Sequence, residues 1–180
     1  MKDRSPILTG PNVILRAADY GDIDARFALG QNSEILKMYG VNADVLGRYE
    51  REDAQGWVEF LIGHPYAWII ERNGLIGAVR LDNVDLEDRR ASLAIGMVDP
   101  DAMNKGYGTE AIRLVLGFAF KTLNLHRVSL RVLAYNQRAI RAYEKCGFRV
   151  EGRERQTAYV DGHWHDDVIM GILENELIDK

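Results

Sequence analysis

The stretch from residue 91 to residue 133 constrains the fold more than any other part of the chain. It reads as a strand, Ala91 to Val98, ended by Asp99-Pro100; a helix from Gly106 to Leu123; and a second strand, His126 to Leu133. Ile112, Val115, Leu116, Ala119 and Leu123 recur at helical spacing and give that helix one buried face. Two strands joined through so long a helix must be related by a crossover, which a hairpin cannot supply. The flanking segments carry hairpin signals instead. Asn73-Gly74 lies between Trp68-Ile69-Ile70 and Leu75 to Leu81, suiting a type I′ turn with both central residues at positive φ. Asp161-Gly162 precedes a return strand holding Val168-Ile169-Met170.

Val13, Leu15 and Ala17 alternate with Ile14 and Arg16 as a first strand. Three helices follow: one capped by Asp19 and stopped at Gly30, one from Asn32 or Ser33 to Tyr39, and one from Glu50 to Gly63, ended by His64-Pro65. A polar loop, Asp85 to Arg89, separates two central strands. Asn136 caps a helix reaching Gly147, and Phe148-Arg149-Val150 opens the last sheet segment. The order is strand, three helices, three strands, helix, strand, helix, two strands. That is an α+β (mixed α/β) chain, not a doubly wound dinucleotide fold.

With 180 residues, 47% apolar and 28% charged, and no repeat or linker, residues 1–180 are expected to form one domain able to bury its core unaided. The charge sum of 23 minus 27 gives −4 and argues against a nucleic-acid platform. Residues 121–155 carry nine Lys/Arg against three acidic residues, but over two helices and three strands these are expected to face solvent separately. A single cysteine, Cys146, cannot form an internal disulfide, which sets the expectation of a cytoplasmic protein. No run of about 18 apolar residues is present, and no apolar segment follows Met1-Lys2-Asp3-Arg4-Ser5-Pro6, so neither a membrane span nor a signal peptide is expected.

Met103-Asn104-Lys105-Gly106-Tyr107-Gly108-Thr109 lies between the strand at 91–98 and the long helix. Two glycines at a helix start leave backbone N–H groups unshielded by a Cβ. Together with the helix dipole these donors suit a pyrophosphate, although tight turning alone also accounts for such glycines. Lys105 precedes its glycine, which excludes a P-loop. Ala111 satisfies only part of a dinucleotide fingerprint, in the wrong place in the order of elements.

The second informative stretch runs from Asn136 to Phe148. Asn136 caps the helix, and Tyr143, two turns in, shares a face with Ala139 and Ile140. A phenol can give its proton to a departing thiolate or alkoxide; a core aromatic is the competing reading. Asn-x-x-Ala-x-x-x-Tyr-x-x-x-Gly-Phe downstream of Gly-x-Gly resembles the GNAT superfamily of acyl-CoA-dependent N-acetyltransferases, from about Asn12 to Leu173. The likeness is to the branch of ribosomal-protein N-terminal and spermidine acetyltransferases. Val150-Glu151-Gly152 and Tyr159-Val160-Asp161-Gly162 also look like that branch.

The resemblance implies a twisted mixed sheet, flanked by helices and splayed between the strands at 91–98 and 126–133, with acetyl-CoA in the splay. The pantetheine arm would pair with Gly96, Met97 and Val98, and the pyrophosphate would sit on amides of Met103, Asn104, Lys105, Gly106, Tyr107, Gly108 and Thr109. Asn136 would hydrogen-bond the pantetheine, with Ala139 also at the cofactor, and Arg138 and Lys145 would reach outer phosphates. Tyr143 would protonate the leaving thiolate. Relatives of this kind are often dimers. The family loop usually begins with Arg or Gln and continues with Gly, where this chain has Met103 and Asn104.

The implied reaction is direct attack of a primary amine, a protein or peptide N-terminus first and a polyamine or amine antibiotic next. Some relatives use a Glu on the strand that here carries Ser92 and Leu93. The base is therefore expected to be water-mediated or an acid from the N-terminal helices. Residues 32–63, with Glu34, Asp44, Glu50, Glu52, Asp53 and Glu59, are expected to give an acidic acceptor pocket for a cation. A non-catalytic CoA-binding sensor is the rival from another class. His163, His165 and Asp167 share a strand face, but no metal is expected there. Cys146 reads as packing, and His64 and His126 have no partner evident from sequence.

Overall fold

The computed structural model describes residues 5–42 and 46–177. Eight strands form one sheet: β1 (Leu8–Thr9), β2 (Ile14–Arg16), β3 (Ala67–Glu71), β4 (Leu75–Asp85), β5 (Arg90–Met97), β6 (Arg127–Leu133), β7 (Arg149–Val160) and β8 (His163–Leu173). Their order across the sheet is β1-β2-β3-β4-β5-β6-β8-β7. Five α-helices accompany them: α1 (Asp22–Leu29), α2 (Ser33–Met38), α3 (Arg51–Gly63), α4 (Tyr107–Lys121) and α5 (Gln137–Glu144).

β3 explains how the sheet is covered on both faces. Trp68 and Ile70 pack into a cluster with Ile112, Val115 and Leu116 of α4, while Ala67 and Ile69 face the opposite side with Leu61 of α3. Strand alternation thus feeds two cores from one apolar run. The α4 residues Ile112, Val115, Leu116 and Ala119 are all at most 2% exposed. Each large side chain so buried contributes about 1.5–3 kcal/mol.

The crossover pairing is present, and it is short. β5 and β6 run parallel through Arg90↔Arg127, Ala91↔Val128 and Ser92↔Ser129 only. Every other pairing is antiparallel. Beyond Ser92 the two strands part, leaving one edge of β5 without a strand partner as far as Met97.

Three local expectations change. Helix α1 starts at Asp22, not after Asp19. The Asp19 carboxylate accepts from the Gly21 N–H, closing a turn before the helix, while Asp22 is buried against Arg16 at 2.6 Å. The β3–β4 connection spans Arg72 to Gly74 with a register shift at Ile70/Glu71, although Asn73 and Gly74 both take positive φ (53° and 132°). β1 carries no sequence signal: it is two residues long, between Pro6 and Gly10.

Candidate active site

The parting of β5 and β6 opens a cleft of about 880 Å³ lined by α1 to α3, β4, β5, the glycine turn and α5. Gly96, Met97, Val98, Met103, Asn104, Gly106, Tyr107, Gly108, Thr109, Asn136, Arg138, Ala139, Tyr143 and Lys145 all line it; Lys105 does not. The two motifs, some thirty residues apart in sequence, form facing lips of one cavity.

The glycine turn is shaped by two left-handed residues, Asn104 (φ 60°) and Gly106 (φ 83°). Asn is the side chain that best tolerates this conformation after glycine, which suits Asn104 to this position. Gly106 is the N-cap of α4, and the N–H groups of Tyr107, Gly108 and Thr109 open the helix without a helical acceptor. A Cβ on Gly108 would meet only Met97 and Ile95 side chains at 3.7 Å or more, so folding alone does not demand glycine there.

Along the β5 edge the backbone alternates. Val98 donates its N–H inward to Ile76 of β4 (2.9 Å), whereas Met97 turns its N–H and C=O toward the cleft. Both groups are held by Tyr39, just past α2: its hydroxyl accepts from the Met97 N–H (2.8 Å) and donates to the Met97 C=O (3.3 Å). Of the three residues expected to pair with an extended ligand, Met97 alone turns both backbone groups to the open edge. Tyr39, the expected end of the second helix, carries no sequence signal for this contact. Its partner is 58 residues away, and no local spacing links them.

α2 also reaches the opposite lip. Tyr135 donates its hydroxyl to the Lys37 carbonyl, and Asn136 donates from Nδ2 to the Met38 carbonyl (3.1 Å). Asn136 Oδ1 accepts from the Ala139 N–H (3.1 Å), capping α5 as its sequence indicates. Its amide therefore joins α2 to α5 as well as lining the cleft.

Tyr143 is 8% exposed, packs edge-on against Phe148 (5.8 Å), and lies at the cleft wall. Burial pushes its pKa well above the ordinary phenol value, with the nearby Tyr39 phenol and Cys146 adding to the rise. The hydroxyl is thus kept protonated. Cys146 is 1% exposed, donates Sγ–H to the Thr109 carbonyl (3.5 Å), and is pushed up to about 11 by burial, as suits a packing thiol.

The acidic pocket does not form. None of Glu34, Glu50, Glu52, Asp53 and Glu59 lines the cleft, and Asp44 lies outside the described residues. Glu50 and Asp53 instead close the capping box of α3, and Glu59 accepts from Gln55. The cleft therefore takes no base from these helical acids. Asp167 is the one carboxylate among the described lining residues, bound by Arg131 (3.1 Å) and by Thr157 (2.8 Å).

His165 stacks edge-on with Tyr135 (4.7 Å), and His163 contacts the Asp161 carbonyl. Among the described residues no three His, Cys, Asp or Glu side chains converge. His64 and His126 have distant partners, Asp82 and Glu174, each at 3.0 Å. No helix among the described residues is long and apolar enough to cross a membrane.

Comparison with known proteins agrees with this arrangement. The chain is 31% identical over 109 residues to a spermidine N(1)-acetyltransferase of Vibrio cholerae, a match that spans 61% of this chain and 62% of that protein. It is 28% identical to the uncharacterized N-acetyltransferase YoaA of Bacillus subtilis over 94% of this chain and 97% of that one. A Vibrio cholerae spermidine N-acetyltransferase solved with CoA and spermine superposes with a TM-score of 0.76 at 27% identity, covering 93% of this chain and 98% of the other. A GNAT-family acetyltransferase from Bacillus anthracis gives a TM-score of 0.81 at 23% identity, covering 95% and 100%, a likeness of fold. The family model for the acetyltransferase (GNAT) domain matches residues 12–149, so the chain belongs to the GNAT acetyltransferases.

Proposed function

We propose that this enzyme transfers an acetyl group from acetyl-CoA to a primary amine by direct attack within a ternary complex. The observation that carries the reading is the shared cleft. An open strand edge at Met97, a helix N-terminus rich in free N–H groups, and a protonated phenol at Tyr143 all face it. Those features suit the three parts of an acyl-CoA: an amide-bearing arm, a pyrophosphate and a thioester.

The amides of Asn104, Gly106, Tyr107, Gly108 and Thr109 hold the pyrophosphate, while Arg138 and Lys145 bear on the outer phosphates. Of the residues expected there, Met103 drops out because its N–H donates to the Pro100 carbonyl (3.2 Å), and Lys105 because it does not line the cleft. Acetyl-CoA supplies an activated thioester carbonyl. The Met97 N–H, once released by Tyr39, polarises that carbonyl. The amine enters as the free base; its nitrogen bonds to the carbonyl carbon as the carbon–sulfur bond breaks. Tyr143 gives its proton to the departing thiolate, the surplus proton on nitrogen passes to water, and the Tyr143 phenolate takes a proton back from water before the next turnover. Ala139 and Asn136 keep α5, and hence Tyr143, in register with the cleft.

A protein or peptide N-terminus is the leading acceptor class. Polyamines are the second, favoured by the spermidine acetyltransferases among the relatives. The test is release of CoA thiol from acetyl-CoA with peptides, polyamines, amino acids and aminoglycosides as acceptors. Tyr143→Phe is expected to lower kcat by about 10²-fold with acetyl-CoA affinity unchanged. Full turnover in that variant would remove Tyr143 from catalysis. Binding of acetyl-CoA with no transfer to any acceptor would favour a CoA-binding sensor.

A further inference from the structure

The charge inside the cleft is opposite to what a polycationic acceptor needs. Six basic side chains and one acidic side chain line it among the described residues. Arg138 and Arg141 lie on α5 and Lys145 caps its end, on the side assigned to phosphates. The basic residues on the other wall, made by α1, α3 and β4, are Arg26 and Arg80. Arg80 is paired with Asp82 (2.9 Å), and Arg131 is paired with Asp167.

Arg26 has no such partner. It is 7% exposed, and among the described residues no carboxylate acts on its charge. One guanidinium nitrogen donates to the Gly30 carbonyl (2.8 Å), while Nε is buried without any acceptor. The rings of Tyr49 and Trp57 lie 4.8 and 5.4 Å from the guanidinium carbon. They hold its plane but do not neutralise it. The Tyr49 hydroxyl beside it is likewise buried and unpartnered. Burial lowers the Arg26 pKa; the Tyr49 phenol offsets part of that, and no carboxylate among the described residues does. A buried cation at a cleft wall with an unused donor is a ready partner for a carboxylate.

Resting on the acetyl-transfer reading, we infer that the acceptor is a primary amine that also carries a carboxylate, and that Arg26 receives this carboxylate. Two sources share that chemistry: a free amino acid, and a peptide whose N-terminal residue is acidic. Arg26 fixes the acceptor's far end, leaving the amine toward Met97 and Tyr143. The same unpaired charge disfavours spermidine.

The test is a calorimetric titration of the full chain, with and without saturating CoA, using matched probes. Glycine is compared with glycinamide, the tripeptide amide Glu-Ala-Ala with Gln-Ala-Ala, and both pairs with spermidine. The carboxylate member of at least one pair is expected to bind about 10- to 100-fold more tightly than its amide, with the responding pair identifying the source. In Arg26→Gln that ratio falls toward one, and Arg26→Lys retains part of it. Equal affinities within both pairs in the wild-type protein, or tighter binding of spermidine than of every carboxylate, would overturn the proposal. The wild-type comparison decides even if the Arg26 variants fail to fold. Acetyl transfer is read separately in the same mixtures. A carboxylate preference without transfer would uphold this site and remove the acetyltransferase reading, and transfer without preference would do the reverse.

Discussion

Two phenols line the cleft, Tyr143 buried and Tyr39 with its ring partly exposed, and desolvation acts on both hydroxyls. Tyr143 and Tyr39 are each raised above the ordinary tyrosine value chiefly by desolvation. A raised pKa keeps the phenol protonated to higher pH, so Tyr143 still holds its proton wherever the amine substrate is deprotonated. The kcat/KM profile is therefore expected to rise with pH as the amine loses its proton, and to show no descending limb below about pH 10. A fall between pH 8 and 9 would contradict this. Tyr39 acts in the opposite sense, occupying the Met97 backbone groups to which the proposed mechanism assigns acetyl-CoA. Tyr39→Phe leaves the Met97 N–H unsatisfied in the free protein and is expected to tighten acetyl-CoA binding by roughly 5-fold, about 1 kcal/mol, measured by calorimetry. Weaker binding would show that Tyr39 supports the bound state instead. Tyr143 was legible because helical spacing from Asn136 carries it. Tyr39 and Arg26 were not, since their roles arise from residues brought close only by folding.

Among the elements, α4 does most to build the site, and one of its side chains anchors the opposite end of the sheet. Glu110 accepts from the backbone N–H groups of Asn12 (2.7 Å) and Val13 (3.0 Å), and from Asn12 Nδ2 (2.9 Å). Burial alone would raise its pKa; these hydrogen bonds, with Arg72 nearby, outweigh burial and hold it below the usual carboxylate range. A depressed folded value gives stability that is present above the unfolded pKa and lost as pH falls through the folded one. Glu110→Gln is expected to cost about 1–2 kcal/mol at pH 7, with the difference in melting temperature closing below about pH 4. A pH-independent difference would assign the loss to packing. The amphipathic face of α4 and the Asn136 cap were readable because their determinants lie within a few residues of one another. β1 and the start of α1 were not, because Trp68 Nε1 donating to the Pro6 carbonyl and Arg16 pairing with Asp22 fix those segments from outside.

Across the whole molecule, function follows from where a sheet fails to pair. Three residue pairs join β5 to β6 before the strands separate, and the gap brings the glycine turn, the Met97 edge and α5 around one cavity. The element order required a crossover at residues 91–133, which made the splay legible through family resemblance. The charge of the cavity was not legible, because α2 and α3 carry acids in sequence but turn them away from the cleft. α2 joins both lips, to β5 through Tyr39 and to the start of α5 through Asn136.

The most direct test of the account is amide hydrogen exchange with and without acetyl-CoA. Slowed exchange is expected in residues 103–109 and 136–145 together, with β7 unaffected. Acetyl-CoA binding that leaves 103–109 unprotected would contradict it, because the ligand would then lie outside the gap between β5 and β6.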